Sequence, residues 1–147
     1  MIDARAPQTE HLGVVELRIP AEAECVAVAR LAVSAVANRL AFSLEDIEDL
    51  KLALTEACAN CIQHAGDEGE GIDITFEVLA DAVRITVRDR VRHARDMRSA
   101  RPIASQMSEE RTESVGIYII QSLMDDVAYT VDEHTGTKLA MTKRVKA

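Results

Sequence analysis

Two short alternating runs, separated by only two residues, constrain this chain more than any other feature. In the first, Ile72, Ile74, Phe76 and Val78 fall on one face; in the second, Val83, Ile85 and Val87 do. Side chains alternate across a strand, so each run reads as a strand with one buried face. Ala80-Asp81 makes the tight connection. A link that short joins antiparallel neighbours, because parallel strands need a crossover of about a dozen residues or more.

The remaining segments arrange themselves around this hairpin. Val14 to Ile19 (VVELRI) alternates and stops at Pro20, as a strand does. Ala21 to Phe42 contains neither Gly nor Pro and is rich in Ala, Val and Leu, which predicts one long helix. Ser43 heads the run Ser-Leu-Glu-Asp, a capping box that opens a second helix reaching about Ala65. Gly66, Gly69 and Gly71 then suggest an acidic loop. Beyond the hairpin, Arg90 to Glu113 shows no period, and a stretch of that length is usually a functional lid or a disordered segment. Val115 to Asp125 reads as a helix, Val127 to Val131 as a strand, His134-Thr135-Gly136 as a turn, and Lys138 to Val145 as a last strand. Antiparallel strand pairs with grouped helices predict an α+β two-layer sandwich, with a mixed, mostly antiparallel sheet and helices on one face. One domain over 13–147 follows, preceded by a polar, flexible tail over 1–12.

Composition excludes several partners. The chain has 147 residues, and 48% of them are apolar, enough for a sizeable core. Aromatics are only 3%, which removes the stacking platforms that single-stranded nucleic acid needs. A formal charge of -8 repels phosphate backbones, so direct nucleic-acid binding is not expected. The exception in sign is a cluster at Arg88, Arg90, Arg92, Arg95, Arg98 and Arg101, either a solvated loop or a surface for polyphosphate or an acidic partner. Three cysteines, an odd number, without a leader-like apolar run, suggest a reducing cytoplasm, and no window has membrane-spanning length.

The helix LKLALTEACANCIQHA carries the first candidate chemistry. Ile47, Leu50, Leu54, Cys58, Cys61 and Ala65 form its apolar stripe. Glu56 and Asn60, four apart and flanked by Ala53 and Ala57, are neighbours on another face. A carboxylate beside an amide with little bulk nearby suits a pocket wall; it also suits an ordinary polar helix face. Asp89 has the parity of Val83, Ile85 and Val87, so it either meets partners inside or marks where the strand turns outward. Gly116 stands at the start of a helix, where free N–H groups can meet an anion or a tight turn needs a glycine. Cys58, Cys61 and His64 have metal-like spacing, but they lie within one helix and the thiols fall on the apolar stripe, where they act as small hydrophobes.

Together these segments resemble a known family. LALTEACANCIQHA is similar to the N-box of the GHKL, or Bergerat-fold, ATPases in the form carried by bacterial anti-sigma-factor serine kinases. VRITVRDR resembles the strand leading to the adenine box, SVGIYIIQSLMDDVAY the following glycine box and helix, and GTKLAMTKR the closing Gly-Thr strand. The resemblance implies ATP and Mg²⁺ as cofactors, with Glu56 as general base and Asn60 as the Mg²⁺ ligand. It further implies that Asp89 accepts from the adenine amino group, that Ser114 and Gly116 bring the helix N-terminus to phosphate, and that Thr137 lies near adenine. Sigma-factor sequestration, phosphorylation of an anti-sigma-factor antagonist and homodimerisation are implied as well. The sequence departs from the family pattern D-x-G-x-G: Asp89 is followed by Arg90, Val91, Arg92 and His93, and Ser114 replaces the first glycine of the next box. Those losses keep open an alternative, a partner-binding regulator on the same fold with weak or no ATP binding.

Overall fold

A computed structural model describes residues 11–65, 69–91, 115–132 and 136–146. Five strands, β1 (His11–Ile19), β2 (Gly69–Leu79), β3 (Ala82–Val91), β4 (Asp126–Asp132) and β5 (Gly136–Arg144), form one sheet in the order β1-β2-β3-β5-β4. All four pairings among the described residues are antiparallel. Among the described residues, three α-helices accompany it: α1 (Val26–Ala37), α2 (Leu44–Ala65) and α3 (115–123).

The register explains the core. One row across the sheet is Val15, Phe76, Ile85, Met141 and Val127; the next is Leu17, Ile74, Val87, Leu139 and Tyr129. Phe76, Ile85, Val87 and Met141 are fully buried beneath the helices, with Leu50, Leu54 and Cys58 of α2 and Ala29 and Val33 of α1. Burying each such aliphatic or aromatic side chain favours folding by about 1.5–3 kcal/mol. The opposite face carries Arg18, Asp73, Glu77, Arg84, Thr86 and Arg88, so the alternation read from sequence is a real division into layers.

The capping box forms as expected. The Asp46 amide donates to Ser43 Oγ at 3.0 Å, and the Ser43 amide donates to Asp46 Oδ2 at 3.4 Å. The first helix is shorter than expected. Ala23–Cys25 is a 3-10 turn, and α1 ends at Ala37. Arg39 and Leu40 then close tighter turns onto the carbonyls of Val36 and Ala37. Leu40 and Phe42 fold back onto the core, and that contact overrides a helix that nothing in the sequence would stop.

Two boundaries also move. His11 and Leu12 belong to β1 rather than to a tail, and residues 1–10 lie outside the described residues. Gly69 and Gly71 belong to β2 rather than to a loop, with a bulge between them. Gly71 has φ +139°, and a Cβ there would lie 3.0 Å from the Ile19 carbonyl oxygen, so the crossing with β1 requires glycine. The unperiodic stretch from Arg90 starts within β3, which continues through Val91; 92–114 and the turn residues His134 and Thr135 lie outside the described residues.

Candidate functional site

Asn60 is on α2, one turn beyond Glu56, and is 8% exposed, whereas Glu56 is half-buried. Sequence spacing suggested an exposed pair. The amide is covered instead because α3 brings Gly116 against it. A Cβ built on Gly116 would lie 3.0 Å from Asn60 Oδ1 and 3.1 Å from Nδ2. Gly116, near the described start of α3, thus faces the Asn60 amide with no side chain between them. Asn60 Nδ2 is buried and has no hydrogen-bond partner among the described residues. Leaving a buried polar group unpaired costs about 1–3 kcal/mol, so such an atom marks a place for a ligand acceptor.

Asp89 and Thr137 form a second pair. The row that begins with Ile19 and Ile72 reaches Asp89 on β3 where an apolar residue would continue the pattern. Asp89 is 1% exposed, so the inward alternative is the correct one. Its Oδ1 accepts the Thr137 amide at 2.7 Å, and Thr137 is itself buried on β5. The bond closes β3 onto β5 just past their last paired residues, Arg88 and Lys138.

Of the six sequence-derived residues, the structure therefore groups Glu56, Asn60 and Gly116 along α2 and α3, and Asp89 with Thr137 at the edge of the β3–β5 ladder. Ser114 lies outside the described residues. Where the family pattern has glycines after Asp89, Arg90 and Val91 remain paired in β3, opposite Gly71 and Gly69. Cys58 and Cys61 lie in the core, and burial pushes the Cys58 thiol up to about 12. No group of three or more His, Cys, Asp or Glu side chains suited to a metal occurs among the described residues.

Sequence reasoning missed Lys143. It shares the inward parity of Leu139 and Met141 on β5 and is 4% exposed. Its Nζ donates to the Leu123 carbonyl at 2.7 Å, with Asp46 Oδ1 at 3.9 Å and Asp49 Oδ2 at 3.8 Å. The signal was present, a cation on an apolar strand face, and it is the same signal that singled out Asp89.

A profile described as "Histidine kinase-like ATPase domain" matches residues 19–143, which takes in the three described helices and strands β2 to β5 up to Lys143 but only the last residue of β1. The chain belongs to the histidine kinase-like ATPase family. Within it, the chain falls among the anti-sigma-factor serine kinases. It is 37% identical over 143 residues to the serine-protein kinase RsbW of Bacillus cereus strain Q1, covering 93% of this chain and 88% of that protein. It is 38% identical over 135 residues to the RsbW of Halalkalibacterium halodurans, covering 88% and 82%. For a histidine kinase-like ATPase, the residues present suit a magnesium nucleotide. The Asn60 amide can offer oxygen to a cation and NH₂ to an anion, Gly116 places no side chain against it, and Asp89 is a buried acceptor. No helix among the described residues of this ATPase is long and apolar enough to cross a membrane.

Proposed function

We propose that the protein is an ATP-dependent serine/threonine kinase and anti-sigma factor, which sequesters a sigma factor and phosphorylates an anti-sigma-factor antagonist. What carries the reading is the buried Asn60 amide, held against the start of α3 one turn from Glu56, in a chain whose relatives are named serine-protein kinases. In this reading 13–147 is a single ATPase domain that works in the cytoplasm as a homodimer, away from nucleic acid and membranes.

Asn60 would hold Mg²⁺ through its amide oxygen, and Asp89, with Thr137 beside it, would receive the adenine. Ser114 and Gly116 would let backbone N–H groups approach phosphate. Bound Mg²⁺–ATP supplies the γ-phosphoryl group and neutralises its charge. Glu56 takes the proton from the hydroxyl of the acceptor serine or threonine as that oxygen bonds to phosphorus, and the bond from phosphorus to the departing ADP oxygen breaks. The half-buried position of Glu56 suits this part, because a base must reach both the pocket and an approaching protein.

The test is transfer of labelled γ-phosphate from ATP to a purified antagonist protein. Glu56→Gln should lower the transfer rate by about 10²–10⁴-fold while leaving ATP binding within about twofold. Transfer at the wild-type rate in Glu56→Gln would remove Glu56 from the role of base.

One observation favours a second reading, a partner-binding regulator with a degenerate nucleotide site. β3 stays paired through Arg90 and Val91 where the family pattern has a glycine-bearing turn. Tight sigma-factor binding by a protein that retains no nucleotide would select it.

A further inference from the structure

We propose that Lys143 is a positioning residue: it holds the carbonyl of Leu123 at the C-terminal end of α3 and thereby keeps Gly116 of that helix against Asn60. Its functional consequence rests on the kinase reading; its structural part does not.

A buried ammonium is costly unless its charge and its donors are met. Around Lys143 Nζ, one hydrogen bond and two ion pairs come from two other elements. Leu123, the last helical residue of α3, supplies the carbonyl at 2.7 Å, the one partner at hydrogen-bond distance among the described residues. Asp46 and Asp49, from the first turns of α2, supply charge at 3.9 and 3.8 Å. The side chain is 5% exposed, and the Asp46 and Asp49 side chains are 12% and 32% exposed. The cation therefore sits at the negative end of one helix and beside the capped beginning of another.

A general need for stability does not call for this arrangement, since an apolar side chain of similar volume often serves a buried position as well or better. What only the ammonium adds is direction, a bond to one terminal carbonyl. Seven residues earlier in α3, Gly116 lies against Asn60, and Asn60 is on the same α2 as Asp46 and Asp49. α3 thus lies against α2 at Gly116, is linked to it through Lys143 at Leu123, and runs antiparallel to it. Nine helical residues span about 13 Å and behave as a short rod, so slippage at Leu123 reaches Gly116. Asp125, just beyond the helix, is separately tied to β5: its amide donates to the Thr142 carbonyl at 2.9 Å, and its Oδ2 accepts the Arg144 amide at 2.7 Å. Those bonds hold the chain that leaves α3, whereas Lys143 holds the helix itself.

The experiment compares wild type, Lys143→Met and Lys143→Arg without ligand by amide hydrogen exchange, using the amides of Ile119 to Leu123, whose carbonyl partners lie within α3, and those of Ile85 to Val87 in β3. In Lys143→Met the α3 amides should exchange about tenfold faster with β3 unchanged, and Lys143→Arg should restore most of the protection. Mg²⁺–ATP affinity should fall about tenfold in parallel. Asp49→Asn, on the more exposed carboxylate, should loosen α3 in the same direction but less, and it decides the matter should Lys143→Met fail to fold. Unchanged exchange in α3, or an equal rise in α3 and β3, would overturn the positioning role, as would unaltered ATP affinity in a protein whose α3 has loosened. A wild type that binds no ATP would instead overturn the kinase reading, with the exchange data still deciding the role of Lys143.

Discussion

A methyl group added at Gly116 would sit 3.0 Å from Asn60 Oδ1, inside ordinary contact distance, so the amide would have to move. Alanine is also the better helix former by up to about 1 kcal/mol. These effects oppose each other, and a double-mutant cycle separates them. Gly116→Ala should be near neutral in urea denaturation of wild type but stabilising in an Asn60→Ala background, where nothing is crowded. Equal effects in the two backgrounds would mean that the contact does not constrain Asn60. Asp89 makes a simpler case. Asp89→Ala leaves the buried Thr137 amide without its acceptor, and stability should fall by about 1–3 kcal/mol. Cys58, with its thiol pushed up to about 12, should resist alkylation at pH 8 until the protein unfolds. The unfolded chain sheds that proton near the ordinary value of 9.0 and the folded chain keeps it to about 12. Stability should therefore fall as pH rises through that window. Asp89 was legible because a carboxylate at an inward parity has to be explained. Asn60 was legible only as a neighbour of Glu56. Its burial depends on α3, far along the chain, and no local period reports a helix that arrives from elsewhere.

Elements were legible where the signal was local. Two alternating runs and a two-residue link gave the β2–β3 hairpin, and Ser43 with Asp46 gave the start of α2. Ser43→Ala should cost about 1 kcal/mol in thermal or urea denaturation, with Ser43→Asp close to wild type. Elements were misread where tertiary contact decided. α1 stops because Leu40 and Phe42 reach the core, and Gly69 and Gly71 lie in a strand because Val91 and Arg90 of β3 pair with them. The end of β3 is where element and function meet. Val91 is paired with Gly69 at a position where the family pattern has glycine. Val91→Gly combined with His93→Gly restores that pattern and should raise ATP affinity severalfold in a binding assay, since glycine permits the closer backbone approach. Unchanged affinity would mean that the paired strand does not restrict the site.

At the scale of the molecule, one sheet face carries the helices and the site while the other is charged. The two-layer α+β plan could be read from the order of periodic segments alone, because strand and helix periods are properties of short windows. The clamp that links α2, α3 and β5 through Lys143 could not, since it depends on residues about 20 and 95 positions away in the chain. The central claim is that a magnesium nucleotide is held at Asn60. Calorimetric titration of wild type and Asn60→Ala with ATP, with and without Mg²⁺, tests it most directly. Binding by wild type should strengthen at least tenfold with Mg²⁺, and Asn60→Ala should lose that Mg²⁺ dependence. Wild type that binds no ATP, or Asn60→Ala that retains the full Mg²⁺ effect, would contradict it.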